Sequence, residues 1–137
     1  IIGLTLYAIN IGYAGGVTGM IITIVGIIIS ILSLSLKKEH RAFLIKLTPI
    51  LGFVVFYLSE RTMIDLLPAI GVTLASIAKL QENIMTMKTI QLFASFNWLY
   101  FGYLLSSLPS MLFDLCGLLA LAISIYQIKF KILNNKK

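Results

Sequence analysis

The stretch Asn10–Leu36, NIGYAGGVTGMIITIVGIIISILSLSL, decides the fold once it is laid against Phe101–Gln127, FGYLLSSLPSMLFDLCGLLALAISIYQ. A shift of 91 positions carries the first onto the second without a gap, placing Gly19 on Ser110, Met20 on Met111, Gly26 on Gly117 and Ser33 on Ser124. In each copy the small residues stand seven apart, close to two helical turns, and so draw a smooth stripe down one helix face. Smooth faces let helix backbones approach closely in lipid, where apolar burial gives no drive to association. A duplicated membrane bundle is a frequent way to build a transporter around a central site.

Composition points the same way. Of 137 residues 59% are hydrophobic and 12% charged, with a mean hydropathy of +1.01. A soluble domain is about half apolar and a quarter charged. The expected class is therefore an integral membrane protein whose first partner is the lipid bilayer. The net charge of +6 does not imply nucleic acid, because the charges lie in short gaps between apolar runs and at the C-terminus, where they set topology. The single Cys116 forms no internal disulfide. His40 has no Cys or His cluster around it, so no metal is expected. No Ser-His-acid set, phosphate-binding loop or paired carboxylates occur, so neither an enzyme nor a cofactor is expected. Gly15-Gly16-Val17-Thr18-Gly19 is too loose for a nucleotide motif and reads as a turn.

Apolar runs fall at about 1–13, 16–36, 42–58, 62–80, 87–106 and 108–130, and their lengths suit helices rather than the short alternating segments of a barrel. The first run would rise only about 20 Å against a hydrocarbon core of roughly 30 Å, so it reads as a helix cut at its start, with sequence upstream absent. Basic gaps (37–41, 79–88 and the C-terminus) alternate with gaps at 13–16, 59–61 and 106–110 that carry no basic excess. By the positive-inside rule the basic gaps and the C-terminus face the cytoplasm. Tyr57, Tyr100, Tyr103 and Tyr126 stand near segment ends, at headgroup level.

Pro49 with Gly52 and Pro68 with Gly71 fall inside segments, where proline removes a backbone bond. Pro49 reads as a static kink. Pro68 with Gly71 reads equally as a kink or as a hinge for alternating access, and it is the candidate hinge.

The order Asp65-Leu66-Leu67-Pro68-Ala69-Ile70-Gly71, then Met87-Lys88, Trp98 and Asp114, resembles the YgjV family of bacterial inner-membrane proteins over nearly the whole chain. That family is similar in layout to the SWEET and SemiSWEET (MtN3-like) sugar transporters, in which two three-helix bundles are joined by an inverting linker helix. The resemblance implies an all-α, polytopic transmembrane helical bundle of duplicated three-helix units whose first helix is missing or truncated. Residues 1–36 would be the remainder of the first bundle, 42–58 the linker helix, 62–130 the second bundle and 131–137 a basic cytoplasmic tail. It also implies the bacterial inner membrane.

Asp114 is the residue most open to chemistry. A lone ionised carboxylate in an apolar helix costs about 2.5 to 3.5 kcal/mol on translocon scales, so it must face protein or water, be protonated, or have a partner. A substrate or proton site and a structural bond to a neighbouring helix stand side by side as readings. SWEET-like proteins similarly set an aromatic on one helix and an amide on the next around a sugar, and Trp98 and Asp114 fall where those would lie. Their partners under the 91 shift are Tyr7 and Thr23. A cage of Tyr7, Thr23, Trp98 and Asp114 would stack an aromatic face on a small polar solute and bind its polar groups. Asp and Thr replace the sugar transporters' amides, which admits a cationic or protonatable solute. Trp98 could equally be a lipid-facing ring. Asn10 and Asn97 read as bridges between helices, and Asp65 as a helix N-terminal carboxylate. The expected function is a small-solute transporter or facilitator working by alternating access. The rival is a non-transporting membrane scaffold or accessory protein. A homo-oligomer is left open.

Overall fold

The structure is a computed structural model, and it describes residues 2–36, 38–59 and 62–134. The expectations resting on Ile1, Lys37, Glu60, Arg61, Lys136 and Lys137 lie outside the described residues, as do the side chains of Ser33, Lys38, Arg41 and 131–137. The described residues form six helices: α1 (Ile2–Tyr13), α2 (Val17–Ser35), α3 (Lys38–Leu58), α4 (Met63–Lys79), α5 (Ile84–Leu104) and α6 (Leu108–Asn134). Consecutive helices pack on each other; α2 also meets α4, and α1 meets α6, so the two ends of the chain close together.

Helix α6 is long and apolar enough to cross a membrane over Leu108–Phe130, and Ile2–Tyr13, Val17–Leu32 and Ala42–Leu58 are shorter apolar stretches. Only 11% of the apolar window in α6 is buried. A core helix of a soluble protein would be mostly buried, so this exterior suits lipid. Tyr57, Tyr100, Tyr103 and Tyr126 are all exposed, as interfacial rings require.

Two boundaries differ from the apolar runs. Helix α3 starts at Lys38 rather than at 42, and α5 at Ile84 rather than at 87. Charged and polar side chains are competent in helices, so hydropathy marks where a helix becomes apolar and not where it begins. The side chain of Asn83 sets the start of α5 by accepting from the amides of Met85 and Thr86 at 2.9 and 3.2 Å. Thr62 and Asp65 form a capping box at α4: Thr62 Oγ1 accepts from the Asp65 amide at 3.2 Å, and Asp65 Oδ2 accepts from the Thr62 amide at 3.3 Å. This is the N-terminal role the sequence assigns to Asp65.

The α1–α2 and α5–α6 turns carry the same hydrogen bonds 91 residues apart. Gly16 N–H donates to the Ile11 carbonyl and Gly15 N–H to that of Gly12; Ser107 donates to Gly102 and Ser106 to Tyr103. Gly15 and Ser106 both have positive φ, 88° and 52°. Each turn is thus a Schellman stop, in which a left-handed residue lets its own amide and the one after it fold back on the last helical turn.

The small-residue stripe is used only in part. A Cβ on Gly19 would sit 2.4 Å from Phe101, and Ser110 is buried against α1. Gly26 and Gly117 have no neighbour within 4 Å of such a Cβ, which corrects the expectation of a close contact along the whole stripe. Gly26 instead lines a cavity with Ser30, Ile45 and Ser76.

Candidate functional site

Polar residues of α1, of α6 and of the α5–α6 turn meet in one seam. The Tyr7 hydroxyl donates to Asp114 Oδ2 at 2.8 Å, tying α1 to α6. Both groups are nearly closed off, Tyr7 7% and Asp114 9% exposed. One turn nearer the α5–α6 turn, Asn10 Nδ2 donates to Ser107 Oγ at 2.7 Å and to Ser110 Oγ at 2.8 Å, and Ser107 Oγ donates to Ser110 Oγ at 2.9 Å. No buried side-chain polar atom among the described residues lacks a partner. Asn97 Nδ2 donates to the Leu67 carbonyl at 2.7 Å, bridging α5 to α4. Both asparagines therefore act as the helix bridges expected of them.

An apolar core adjoins this seam. Tyr7, Ile11 and Phe101 are buried together, with Met20, Leu67, Trp98 and Leu105 packed on them. Trp98 meets Tyr7 and Phe101 edge to face, with centroids 6.1 and 5.9 Å apart. Gly71 makes room for Trp98: a Cβ there would lie 2.7 Å from the indole Nε1 and from Asn97 Nδ2.

Of the four cage residues, the structure brings Tyr7, Trp98 and Asp114 into one cluster, with Tyr7 touching both of the others. Thr23 donates its hydroxyl to the Gly19 carbonyl of its own helix at 2.8 Å. Beside the three clustered residues a cavity of about 170 Å³ is lined by Gly3, Leu6, Tyr7, Asn10, Pro109, Ser110 and Phe113. Pro68 is fully buried inside an unbroken α4, with Gly71 under Trp98, so the candidate hinge is held by packing in this conformation.

The contacts across the seam are reciprocal. Asn10 touches Ser110, and Phe101 touches Gly19. Under the 91 shift Asn10 corresponds to Phe101 and Gly19 to Ser110, so each contact is the other's image with its partners exchanged.

A second region, composed of α2, α3 and α4, went unnoticed in the sequence. A cavity of about 460 Å³ is lined by Thr18, Ile21, Val55, Leu58, Ser59 and Asp65, together with Gly15 and Val17. At the other end of the same three helices, with Met87 of α5, a cavity of about 330 Å³ is lined by Gly26, Ser30, Ile45, Thr48, Ser76 and Lys79 among others. Between them Ile22, Val25, Thr48, Leu51, Gly52, Val55 and Val72 pack so closely that no water molecule fits. Val55 borders the first cavity and the packed layer; Thr48 and Val72 border the packed layer and the second cavity. Scattered single hydroxyls in apolar helices gave no periodic signal for this region.

An apolar exterior around internally satisfied polar groups defines an integral membrane helix bundle. The chain matches the Imp-YgjV family, described as bacterial inner membrane protein, over residues 1–131, and it belongs to that family. No curated protein and no solved structure matches it. Its place is thus the bacterial inner membrane, with the lipid bilayer as its surroundings.

Proposed function

We propose that this inner-membrane protein is a transporter or facilitator of a small polar solute, working by alternating access between two related halves. The observation that carries the reading is the Tyr7–Asp114 pair: a buried carboxylate in an otherwise apolar helix, bound by a single neutral hydroxyl from another helix. Intramembrane carboxylates are costly and cluster on solute and proton pathways. The twin Schellman turns and the exchanged contacts at Asn10–Ser110 and Phe101–Gly19 support duplicated units of the SWEET-like layout. On that layout Lys38–Leu58 is the linker and the Lys79 end, with the C-terminus, is cytoplasmic.

Trp98, Tyr7, Asp114 and Thr23 would take the solute once the rings part, and α4 would move about Pro68 and Gly71. The scaffold reading is favoured by a different observation: the polar groups of the seam are satisfied by one another. Uptake of a panel of small polar solutes into proteoliposomes separates the two. The transport reading expects uptake by the intact protein and a drop of about tenfold or more in Asp114→Asn and Trp98→Ala, the effect of losing roughly 1.4 kcal/mol of solute binding. No uptake of any solute under any gradient leaves the scaffold.

A further inference from the structure

We infer that the interface of α2, α3 and α4 is a water-accessible solute path, closed in this conformation by Ile22, Val25, Leu51, Val55 and Val72 around Gly52. It lies outside the four central residues, none of which lines it. It rests on the transport reading for its use, and on the cavities alone for its course.

Three observations carry it. First, the two cavities and the packed layer follow one another along the same three helices and share lining residues, so they form one line rather than separate dents. Second, both cavities are lined by hydroxyls amid apolar side chains: Thr18 and Ser59 with Asp65 at one end, Thr48 and Ser76 with Lys79 at the other. Thr48 and Ser76 donate their protons to the carbonyls of Leu44 and Val72. Their oxygens therefore offer lone pairs, suited to a donor-bearing solute. Third, the closure rests on a glycine. A Cβ on Gly52 would lie 2.7 Å from Val72 Cγ1 and 3.7 Å from Ala69 Cα, so α4 sets both the Val72 side chain and the Ala69 backbone against bare α3 backbone, and a shift of α4 away from Gly52 opens the layer.

The chemistry of the path selects its cargo. The packed layer offers one hydroxyl among aliphatic side chains, and an ion there would lose its hydration at high cost. The two mouths carry opposite charges, so neither sign is favoured along the whole course. The solute class is therefore small, uncharged and hydroxyl- or amide-bearing. Helix α4 also joins the path to the central cluster, because Gly71 seats Trp98 and the next residue, Val72, forms the closure.

The test is thiol accessibility in a Cys116→Ser background, which removes the native exposed cysteine. Single cysteines at Thr18, Ser59, Thr48 and Ser76 are treated with a charged, membrane-impermeant methanethiosulfonate in oriented vesicles of each sidedness. Labelling after denaturation in dodecyl sulfate verifies each thiol. The path predicts labelling of T18C and S59C from one face, of T48C and S76C from the opposite face, and labelling of T48C from both faces by an uncharged, sugar-linked methanethiosulfonate once Val72→Ala is added. Loss of all labelling by the charged reagent, with a lipid-soluble maleimide still reacting, makes the cavities lipid-filled grooves and overturns the path. An unchanged sidedness in the Val72→Ala background overturns the closure. Neither result depends on finding a transported solute, so a failed path and a failed transport reading are told apart.

Discussion

The hairpin α1–α2 and the hairpin α5–α6 share a turn but not a chemistry. Their backbones stop and reverse through matching hydrogen bonds, yet one cross-contact is Asn10 against Ser110 and its image is Phe101 against Gly19. One turn deeper Tyr7 binds Asp114, whereas the positions that the shift pairs with them are engaged elsewhere, Trp98 on Tyr7 and Phe101 and Thr23 on the Gly19 carbonyl. One junction is held by hydrogen bonds and the other by a ring resting on bare backbone. The difference shows that the turn fixes where the helices cross, while each crossing tolerates either filling if the pair is complementary.

The comparison breaks most readily on its steric side. Gly19→Val drives a branched side chain into Phe101, and over-packing of this kind costs about 3 kcal/mol. The expected outcome is loss of folded protein in detergent, followed by thermal denaturation, with recovery when Phe101→Ala is added. An unchanged melting curve would mean that the ring does not rest on Gly19.

On the polar side, Tyr7→Phe leaves a buried carboxylate without its donor, at a cost of about 2 kcal/mol. Asp114→Asn keeps an acceptor for Tyr7 and should cost less. Equal losses in the two variants, measured by unfolding in mixed micelles, would show that the pair is not a bond between α1 and α6. Next in size, Asn10→Leu removes two interhelical hydrogen bonds, each about 0.6 kcal/mol by the measured average in membranes, for roughly 1 kcal/mol in the same assay.

The smallest effect tests the turns themselves. Ser106 has a Cβ in left-handed backbone, which costs about 1 kcal/mol, so Ser106→Gly should stabilise by up to that amount and Gly15→Ser should destabilise to the same degree. Opposite signs in paired melting curves would sharpen the identity of the two turns; equal signs would break it.

Much of this molecule could be read from its residues. The two Schellman stops lie within the stretches that the 91-residue shift aligns, though neither Gly15 nor Ser106 marks itself as their matching left-handed residue. Asp114 stands out because one carboxylate in an apolar run demands an explanation, whereas Tyr7, which binds it, is the position that the shift pairs with Trp98. Asn10, Asn97 and Asp65 took the structural roles their chemistry suggested. The α2–α3–α4 cavities were not legible, because Thr18, Ser59, Thr48, Ser76 and Lys79 come from three helices and none is unusual alone. The stripe misled at Gly26 and Gly117, since a small residue permits close packing without telling whether a neighbour arrives.

By itself, then, the sequence determined the apolar helices, their turns, the membrane setting and the family, because hydropathy, spacing and left-handed turn residues act locally along the chain. Only the tertiary structure decided that Tyr7 reaches Asp114, that Phe101 lies on Gly19 and that α2, α3 and α4 leave space at both ends. Those outcomes depend on where separate helices cross and diverge, which is set by the sum of all their packed side chains rather than by any one segment.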